Sequence, residues 1–261
     1  MNKLDKVFTG GSKNKLNVFF TAGYPQLESM GEIILALQKY GTDIIEIGMP
    51  YSDPIADGPI IQHSNSIALK NGMNMQILLA QLNEIKNLVN VPLVLMGYLN
   101  PVLQYGIEKF CSDAAQAGVS AVIIPDLPMF EYEKYYKAMF EKFKLHFIFL
   151  ISPETSPARI KKADKLSRGF LYAVSSTSTT GEKTMGKERI NWYERIKKLK
   201  LKNPVLVGFG IKEKKDFDMA CLYADGAIIG TAFISALQHA TNLDGSTRKF
   251  IENIKDVNYP A

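Results

Sequence analysis

The chain has 261 residues, of which 46% are hydrophobic, and this length and composition suit a globular protein with a sizeable core. Its net charge of +5 comes largely from basic runs such as RIKKLKLK (195–202) and KEKK (212–215), and the lack of interleaved aromatic residues favours a solvated surface over a nucleic-acid site. The longest apolar runs are far shorter than the roughly 20 residues that a bilayer requires, which excludes a membrane-spanning protein.

Eight short apolar segments are predicted as strands, at 18–21, 43–48, 92–96, 121–125, 146–151, 169–174, 204–208 and 227–229. Their runs are continuous rather than alternating, as in parallel strands that are buried on both faces. The segments between them place apolar residues three or four apart, which predicts helices, and TRKFIENIKDV supplies the eighth. Eight such units predict an α/β fold, a single-domain (β/α)₈ TIM barrel over residues 1–261, with KLDKVFTG as an extra N-terminal helix across its bottom.

Two further features bear on the cellular compartment. The N-terminal stretch MNKLDKVFTGGSKNK has no apolar core of the kind found in signal peptides, so a cytoplasmic location is expected. Cys111 and Cys221 lie far apart in predicted helices. They are interpreted as reduced thiols and not as a disulfide or a metal-binding pair.

The most informative stretch is EIGMPYSDPIADGPIIQ (46–62), which combines apolar residues, three prolines and three carboxylates. Active sites of barrels lie at the C-terminal ends of the strands. Glu46 lies inside the second strand, so its side chain is predicted to point into the barrel near the top; pairing with a buried Lys or Arg is the alternative. Asp57 lies in the following loop, which can fold over the barrel mouth. Asp53 precedes Pro54 and either caps a turn or faces a partner.

Two carboxylates over one pocket are suited to acid–base chemistry at neutral pH. A carboxyl group in apolar surroundings has a raised pKa and exchanges a proton, whereas a more solvated one stays ionised and stabilises positive charge. The pair Glu46 and Asp57 therefore predicts proton transfer on a substrate that becomes transiently cationic.

A phosphate site is predicted after the last two strands. VLVGFGIK (205–212) ends a strand with two glycines, and ADGAIIGTAF (224–233) runs from a strand into a helix through Gly230 and Thr231. Glycines let backbone N–H groups approach phosphate oxygens. The segment SSTSTTGEKTMGKE (175–188) is small, polar and long, as expected of a mobile lid, and Thr180 and Gly181 would close onto the same phosphate.

Other chemistries fit the sequence less well. No predicted strand ends in the lysine that a Schiff-base aldolase needs. His63, His146 and His239 do not form a group of metal ligands. The first strand ends in FFTAGYP and lacks the aspartate of isomerases that use paired aspartates. Proton transfer by carboxylates remains.

The stretch DIIEIGMPYSDPIADGPIIQ resembles the signature of the tryptophan synthase α subunit family. The likeness continues, in the expected order along the chain, in FTAGYP (20–25), LMGYLNPVLQYG (95–106), AGVSAVIIPDLP (117–128), GFGI (208–211) and ADGAIIGTAF. The resemblance implies cleavage of indole-3-glycerol phosphate to indole and glyceraldehyde 3-phosphate, with no metal or organic cofactor in this chain.

The resemblance also implies roles for individual residues. Glu46 matches the general acid–base, and Asp57 matches the carboxylate that stabilises the indole N–H as it becomes positive. The positions that would line the indole and glycerol pocket are Phe19, Leu95, Asp126, Tyr172, Phe209 and Ile228. The positions on the phosphate site, besides Thr180, are Gly181, Gly210, Gly230 and Thr231.

A partner is implied as well. In the family the loops after strands 2 and 4 dock on a pyridoxal-phosphate-dependent β subunit in an αββα heterotetramer, and indole passes to it through a tunnel. Pro50, Asp53, Pro54 and Pro128 are the residues expected at that interface, and pyridoxal phosphate is expected only in the partner.

The sequence departs from the family pattern at four positions. Ser176 and Ser178 occupy lid positions where an arginine and a glycine are frequent, Thr231 replaces a serine, and Gly97 stands where an aromatic residue is common. Two other functions stay open: a stand-alone lyase or isomerase on a phosphate-binding barrel, and a non-catalytic activating subunit. The presence of both Glu46 and Asp57 argues against the second.

Overall fold

The computed structural model describes residues 1–11, 13–174, 187–208 and 210–259, with the backbone alone at 187–189. The strands are β1 Lys15–Thr21, β2 Ile44–Gly48, β3 Leu93–Met96, β4 Val119–Ile123, β5 His146–Phe147, β6 Leu150–Ile151, β7 Leu171–Val174, β8 Val205–Gly208 and β9 Gly226–Ile229. The helices are α1 Lys3–Val7, α2 Ser29–Lys39, α3 Pro59–Lys70, α4 Met75–Ile85, α5 Leu99–Tyr105, α6 Ile107–Gln116, α7 Met129–Glu131, α8 Lys137–Lys142, α9 Pro157–Leu166, α10 Lys187–Lys198, α11 Lys214–Tyr223, α12 Thr231–Leu237 and α13 Leu243–Lys255.

The strands form one parallel sheet in the order β5-β4-β3-β2-β1-β9-β8-β7-β6, and its two ends belong to the same stretch of chain. The Ile148 amide donates to the Val122 carbonyl on one side (3.0 Å), and the Phe149 carbonyl accepts from the Tyr172 amide on the other (3.1 Å). These bonds close the sheet into an eight-stranded (β/α)₈ barrel, as predicted.

Side chains alternate between the barrel interior and the layer of helices outside, because successive residues of a strand point to opposite faces. On β2, Ile44 belongs to the interior apolar cluster, whereas Ile45 and Ile47 pack in the outer cluster. Glu46 therefore points inward with Ile44. This alternation decides which residues reach the site.

The N-terminal helix α1 covers the bottom of the barrel, as predicted. Leu4 is fully buried and joins the interior cluster. The His146 ring nitrogen Nε2 lies 2.8 Å from Asp5 Oδ1, which ties the N-terminal end of β5 to α1. His146 is thus at the end of the barrel opposite to Glu46 and Asp57.

Several elements differ from the predictions, and α3 and α5 are helices that were not predicted. The predicted strand 146–151 forms two short strands, because its backbone changes partner from β4 to β7 at Ile148 and Phe149. The segment before β5 contains a π-helical turn at Tyr132–Tyr136 between α7 and α8. The first strand starts at Lys15, before the predicted residue 18, and so includes Asn17.

Over the described ranges, no helix combines the length and apolarity needed to cross a bilayer.

Candidate active site

Glu46 lies in the middle of β2 and is fully buried. Burial disfavours the charged carboxylate and raises the pKa of Glu46 from its usual 4.5 to about 8, against a smaller lowering effect of a hydrogen bond from Asn17. A carboxyl group with this pKa is protonated at neutral pH and still able to ionise. This environment suits the acid–base role that the sequence predicts for Glu46.

The hydrogen-bond partner of Glu46 is an amide and not the cation considered as an alternative. Asn17 Nδ2 donates to Glu46 Oε2 at 2.7 Å, between two buried side chains. The other oxygen, Glu46 Oε1, is buried and has no hydrogen-bond partner within the described part of the chain. Asn17 was not predicted from the sequence, because a polar residue did not fit the apolar run by which strands were recognised.

Asp57 reaches the same cleft from the loop between β2 and α3. It is half-buried, and burial raises the pKa of Asp57 while a hydrogen bond from Tyr98 lowers it. The Tyr98 hydroxyl donates to Asp57 Oδ2 at 3.3 Å and accepts from the Ala56 amide at 3.1 Å. The Tyr51 ring packs on Tyr98 with centroids 5.1 Å apart. Tyr98, which was not predicted from the sequence, thus holds the loop over the barrel mouth.

Glu46 and Asp57 line one cleft of about 660 Å³ at the C-terminal end of the strands. Phe19, Tyr172 and Ile228 line it too, where the sequence placed them. Burial raises the pKa of Tyr172 well above its ordinary value, and the nearby charges of Glu46 and Asp57 raise it further. Its hydroxyl therefore stays protonated, as a neutral wall of the cleft.

The other end of this cleft is lined by Gly210, Gly230 and Thr231, three of the predicted phosphate residues. Gly210 has a φ of +75°, a left-handed conformation that favours glycine. Gly230 immediately precedes α12, and a Cβ there would lie 3.0 Å from the Phe19 ring. Lys212 also lines this end, and it is the one cation among the described residues that line the cleft. From the sequence, Lys212 was predicted to belong to a basic, solvent-exposed segment (KEKK, 212–215).

A second cleft of about 770 Å³ adjoins the first and shares Phe19, Asp57 and Met96 with it. Most of its remaining wall is apolar, and the residues that contribute are Met49, Gly97, Pro125, Leu150 and Val174. The carboxylate of Asp57 thus stands between an apolar space and a space with polar backbone and a lysine.

The prediction that Leu95 lines the pocket is wrong. Leu95 pairs in register with Ile47 and, like it, is buried in the outer cluster between strands and helices. The next residue, Met96, lines both clefts. A strand shifted by one residue exchanges its two faces. Val94 pairs in register with the inward-pointing Glu46 and therefore points inward too. The next inward residue on β3 is two positions further, which identifies Met96 instead of Leu95.

One other prediction about the pocket wall needs correction, and one departure from the family pattern has a structural reason. Asp126 does not line the cleft that contains Glu46; it is exposed, and its carboxylate accepts from the Leu99 amide at 2.9 Å, which stabilises the start of α5. The departure is Gly97, where a Cβ would lie 2.8 Å from Met49, so that a larger residue does not fit unless Met49 moves. Tyr98 supplies the aromatic ring instead.

Several predicted residues lie outside the described ranges. They are Thr180, Gly181 and Phe209, and the lid departures Ser176 and Ser178. The same holds for residues 175–186 of the predicted lid.

The residues predicted to face a partner differ in exposure. Asp53 and Pro128 are exposed and Pro50 is half-buried, but Pro54 is buried and offers no surface. The apolar side chain that this loop presents to solvent is Ile55, which is 89% exposed. The loop turns at Pro54, where the Asp57 amide donates to the Pro54 carbonyl at 3.0 Å.

Comparison with known proteins gives one consistent result. The family profile described as tryptophan synthase alpha chain matches residues 8–259. The chain is similar to the tryptophan synthase alpha chain of Flavobacterium johnsoniae (50% identity, 93% of this chain and 96% of the relative). It is similar also to that of Karelsulcia muelleri (48% identity, 97% and 99%).

Solved structures agree with the sequence relatives. The chain is similar to the tryptophan synthase subunit alpha of Legionella pneumophila, with a TM-score of 0.90, 31% identity and 98% of each chain covered. It is similar also to a chain of the tryptophan synthase complex of Pyrococcus furiosus, with a TM-score of 0.86, 30% identity, and 94% and 99% of the two chains covered.

Proposed function

Because this chain belongs to the tryptophan synthase alpha chain family, we propose how its own residues carry out the family's reaction. That reaction is the cleavage of indole-3-glycerol phosphate to indole and glyceraldehyde 3-phosphate, after which indole passes to a beta subunit for tryptophan synthesis. The chain is accordingly a lyase of tryptophan biosynthesis.

One observation carries the assignment of roles. A fully buried carboxyl group, Glu46, and a half-buried one, Asp57, line a single cleft whose far end carries Gly210, Thr231 and Lys212. The cleft thus offers two carboxyl groups for the indole ring and the breaking bond, and backbone and a cation for a phosphate. A substrate with an indole at one end and a phosphate at the other matches this distribution.

Glu46 acts as the general acid and then as the general base. With a pKa of about 8, about nine-tenths of it is protonated at pH 7. It donates this proton to C3 of the indole, which makes the ring cationic, and becomes a carboxylate. The carboxylate then takes the proton of the hydroxyl on the adjacent glycerol carbon. The bond between C3 and that carbon breaks, its electrons return to the ring, and indole, aldehyde and protonated Glu46 result.

Asp57 stabilises the positive charge that develops on the indole N–H. It is less buried than Glu46, and its Tyr98 hydrogen bond favours the charged form. Burial and the Asp57 charge raise the pKa of Tyr98 to about 12, so its hydroxyl remains a donor to Asp57 at neutral pH. An ionised carboxylate positioned by this hydrogen bond is suited to a cationic ring.

Each of the two clefts holds a different part of the substrate. The apolar second cleft, with Met96 and Leu150 in its wall, suits the indole ring, and the end with Gly210, Thr231 and Lys212 suits the phosphate. In this arrangement the reacting carbon lies between them, beside Glu46. Thr180, Gly181 and Phe209 are proposed to complete the phosphate and indole contacts.

The remaining parts of the proposal concern the assembly. We assign no cofactor to this chain and pyridoxal phosphate to the beta partner only. The partner is proposed to bind around Pro50, Asp53 and Pro128, with the exposed Ile55 as the central apolar contact, in an αββα heterotetramer. The chain is proposed to function as one domain, 1–261, in the cytoplasm.

The test is release of indole from indole-3-glycerol phosphate by the purified chain, alone and with a tryptophan synthase beta subunit. Slow release that rises sharply with the partner is expected. Rapid release that the partner leaves unchanged would identify a stand-alone lyase. No release in either condition would refute the substrate while leaving the barrel and its phosphate-binding end intact.

A further inference from the structure

Asn17 is a polar residue in an apolar place. It lies on β1, where it pairs in register with Ile44 on one side and Ile228 on the other, and it is fully buried. Both neighbours belong to the interior apolar cluster of the barrel. A buried amide without compensating hydrogen bonds destabilises the fold. Core packing alone therefore does not explain why an asparagine occupies this position.

The hydrogen bonds of Asn17 point to Glu46. Its Nδ2 donates to Glu46 Oε2 at 2.7 Å, a short distance for an N–H donor and a buried carboxyl group. Its Oδ1 is buried and has no partner among the described residues. The amide thus satisfies only part of its own hydrogen-bonding capacity and places its donor on one oxygen of the carboxyl group.

The consequence for Glu46 is an asymmetry between its two oxygens. Oε2 accepts a hydrogen bond, so the proton of the neutral carboxyl group is left to Oε1. That oxygen is buried and lacks a partner in the described part of the chain, on a side chain that lines the cleft. Of the two oxygens, Oε1 is thus the one whose hydrogen-bonding capacity is left for a substrate.

We propose that Asn17 is the positioning residue of the acid–base group, which fixes the Glu46 carboxyl through Oε2 and so reserves Oε1 for proton exchange with the substrate. This inference rests on the proposed function. Asn17 itself lies below the substrate, on the bottom side of Glu46 along the barrel axis, and acts only through the carboxyl group.

The hydrogen bond also stabilises the charged form that Glu46 adopts during turnover. Both proton transfers pass through states in which Glu46 is more anionic than in the resting enzyme. Without the Asn17 amide, these more anionic states lose a hydrogen-bond donor and are destabilised, whereas the neutral resting state is destabilised less. Removal of the donor is therefore expected to lower kcat about 10- to 100-fold and to change KM little, because hydrogen bonds to charged groups are the stronger ones.

The first experiment measures Glu46 directly. The chain is labelled with ¹³C at the glutamate side-chain carboxyl carbons, and the resonance missing in Glu46→Gln is followed against pH. In Asn17→Leu, which keeps the side-chain size and removes the donor, the midpoint is expected to rise by about 1–2 pH units. An unchanged midpoint would overturn the proposal, whether or not the chain releases indole.

The second experiment measures the pH profile of indole release by the complex with a beta subunit. The alkaline limb, where Glu46 loses its proton, is expected to move to higher pH in Asn17→Leu, with the lower kcat given above. Asn17→Ser, which keeps a smaller polar group in case the leucine variant does not fold, is expected to shift the limb in the same direction. A limb at the wild-type pH in both variants would contradict the proposal.

Thr21→Val is the matched control. Thr21 is on the same strand and fully buried, and its hydroxyl lies 2.7 Å from that of Ser64, whereas the hydrogen bond to Glu46 comes from Asn17. The control is expected to lower stability and to leave both the Glu46 midpoint and the alkaline limb in place. If Thr21→Val moved the Glu46 midpoint and the alkaline limb as Asn17→Leu does, Asn17 would have a structural role only. If the wild-type complex released no indole, the proposed function would fail, and the carboxyl titration would still decide the role of Asn17.

Discussion

Tyr172 and Gly208 lie on the adjacent strands β7 and β8, so close that a Cβ on Gly208 would be 2.3 Å from the Tyr172 hydroxyl oxygen. The ring carbons of Tyr172 would lie 2.5 Å away. No residue other than glycine fits there unless the tyrosine moves. Since Tyr172 forms a wall of the cleft beside Glu46, the geometry of the site depends on the absence of a side chain at 208.

Gly208→Ala is therefore expected to lower indole release more than ten-fold and to destabilise the fold by about 1–3 kcal/mol, as overpacking of a core does. Removing part of the tyrosine relieves the contact. The free energies of unfolding of Gly208→Ala, Tyr172→Val and the double variant test this in a denaturant series. The double variant is expected to lose less stability than the sum of the two, and simple additivity would contradict the contact.

Glu46→Gln is expected to abolish indole release, because an amide of the same shape cannot exchange the proton. Positioned proton transfer contributes about 10²–10⁴-fold, so a variant that keeps more than about a tenth of the rate would disprove the role. Binding of glycerol 3-phosphate, measured by calorimetry, is expected to be nearly unchanged, since Gly210, Gly230 and Thr231 form that end of the cleft.

The same substitution should also change how stability depends on pH. The pKa of Glu46 is about 8 in the folded chain against the usual 4.5, so between these values the unfolded chain releases a proton that the folded chain retains. The free energy of unfolding of the wild type therefore falls as pH rises through this window, by at most about 1.4 kcal/mol per pH unit. The Glu46→Gln variant has no carboxyl group at this position and therefore does not show this fall in the free energy of unfolding. Urea unfolding at pH 5 and pH 8 should show the variant gaining on the wild type at the higher pH; equal differences at both would contradict the burial argument.

Lys212→Met is expected to raise KM for indole-3-glycerol phosphate about 3- to 10-fold with little change in kcat, because it removes an exposed cation from the phosphate end. The effect of salt on KM should shrink as well. Lys214→Met is the control: its ammonium group pairs with Asp218 along α11 at 2.6 Å and does not line the cleft. Similar kinetics for both variants would show that Lys212 does not contact the substrate.

Leu95 and Met96 form a matched pair for the register of β3. Leu95→Ala is expected to cost about 2–5 kcal/mol of stability, as truncation of a buried leucine does, with KM unchanged. Met96→Ala is expected to raise KM, because it removes a wall of both clefts. Steady-state kinetics and thermal unfolding of the two variants distinguish them. A reversal of the two effects would show the register to be wrong.

The barrel could be predicted from sequence because its strands are apolar on both faces and alternate with amphipathic segments. Glu46 could be predicted because a carboxyl group is costly to bury in an apolar strand unless it is paired or functional, and Asp57 could be predicted because its loop follows the same strand at the barrel mouth. Asn17 was missed for the reason that makes it informative: it interrupts the apolar pattern that marks a strand. Its partner, two strand positions further up on β2, cannot be deduced without the register between β1 and β2.

Other residues depend on contacts between distant segments. Lys212 lies in a basic run, and only the pairing of β8 with β9, which in turn pairs with β1, brings it to the cleft. Tyr98 joins a loop 41 residues away in sequence through its hydroxyl. Neither relation leaves a periodic trace in the sequence. Met96, by contrast, follows from strand alternation, once Glu46 is taken as the reference.

The short strands β5 and β6 divide the barrel into two functional halves. β4 and β7 are joined there through two register pairs on each side, whereas β1 and β2 share five. The half before this junction carries Glu46 and Asp57, and the half after it carries Gly210 and Thr231. A substrate held at both ends therefore contacts both halves of the ring, and its binding should slow amide hydrogen exchange at this sparsely paired junction, at Ile148 and Tyr172, more than in β2.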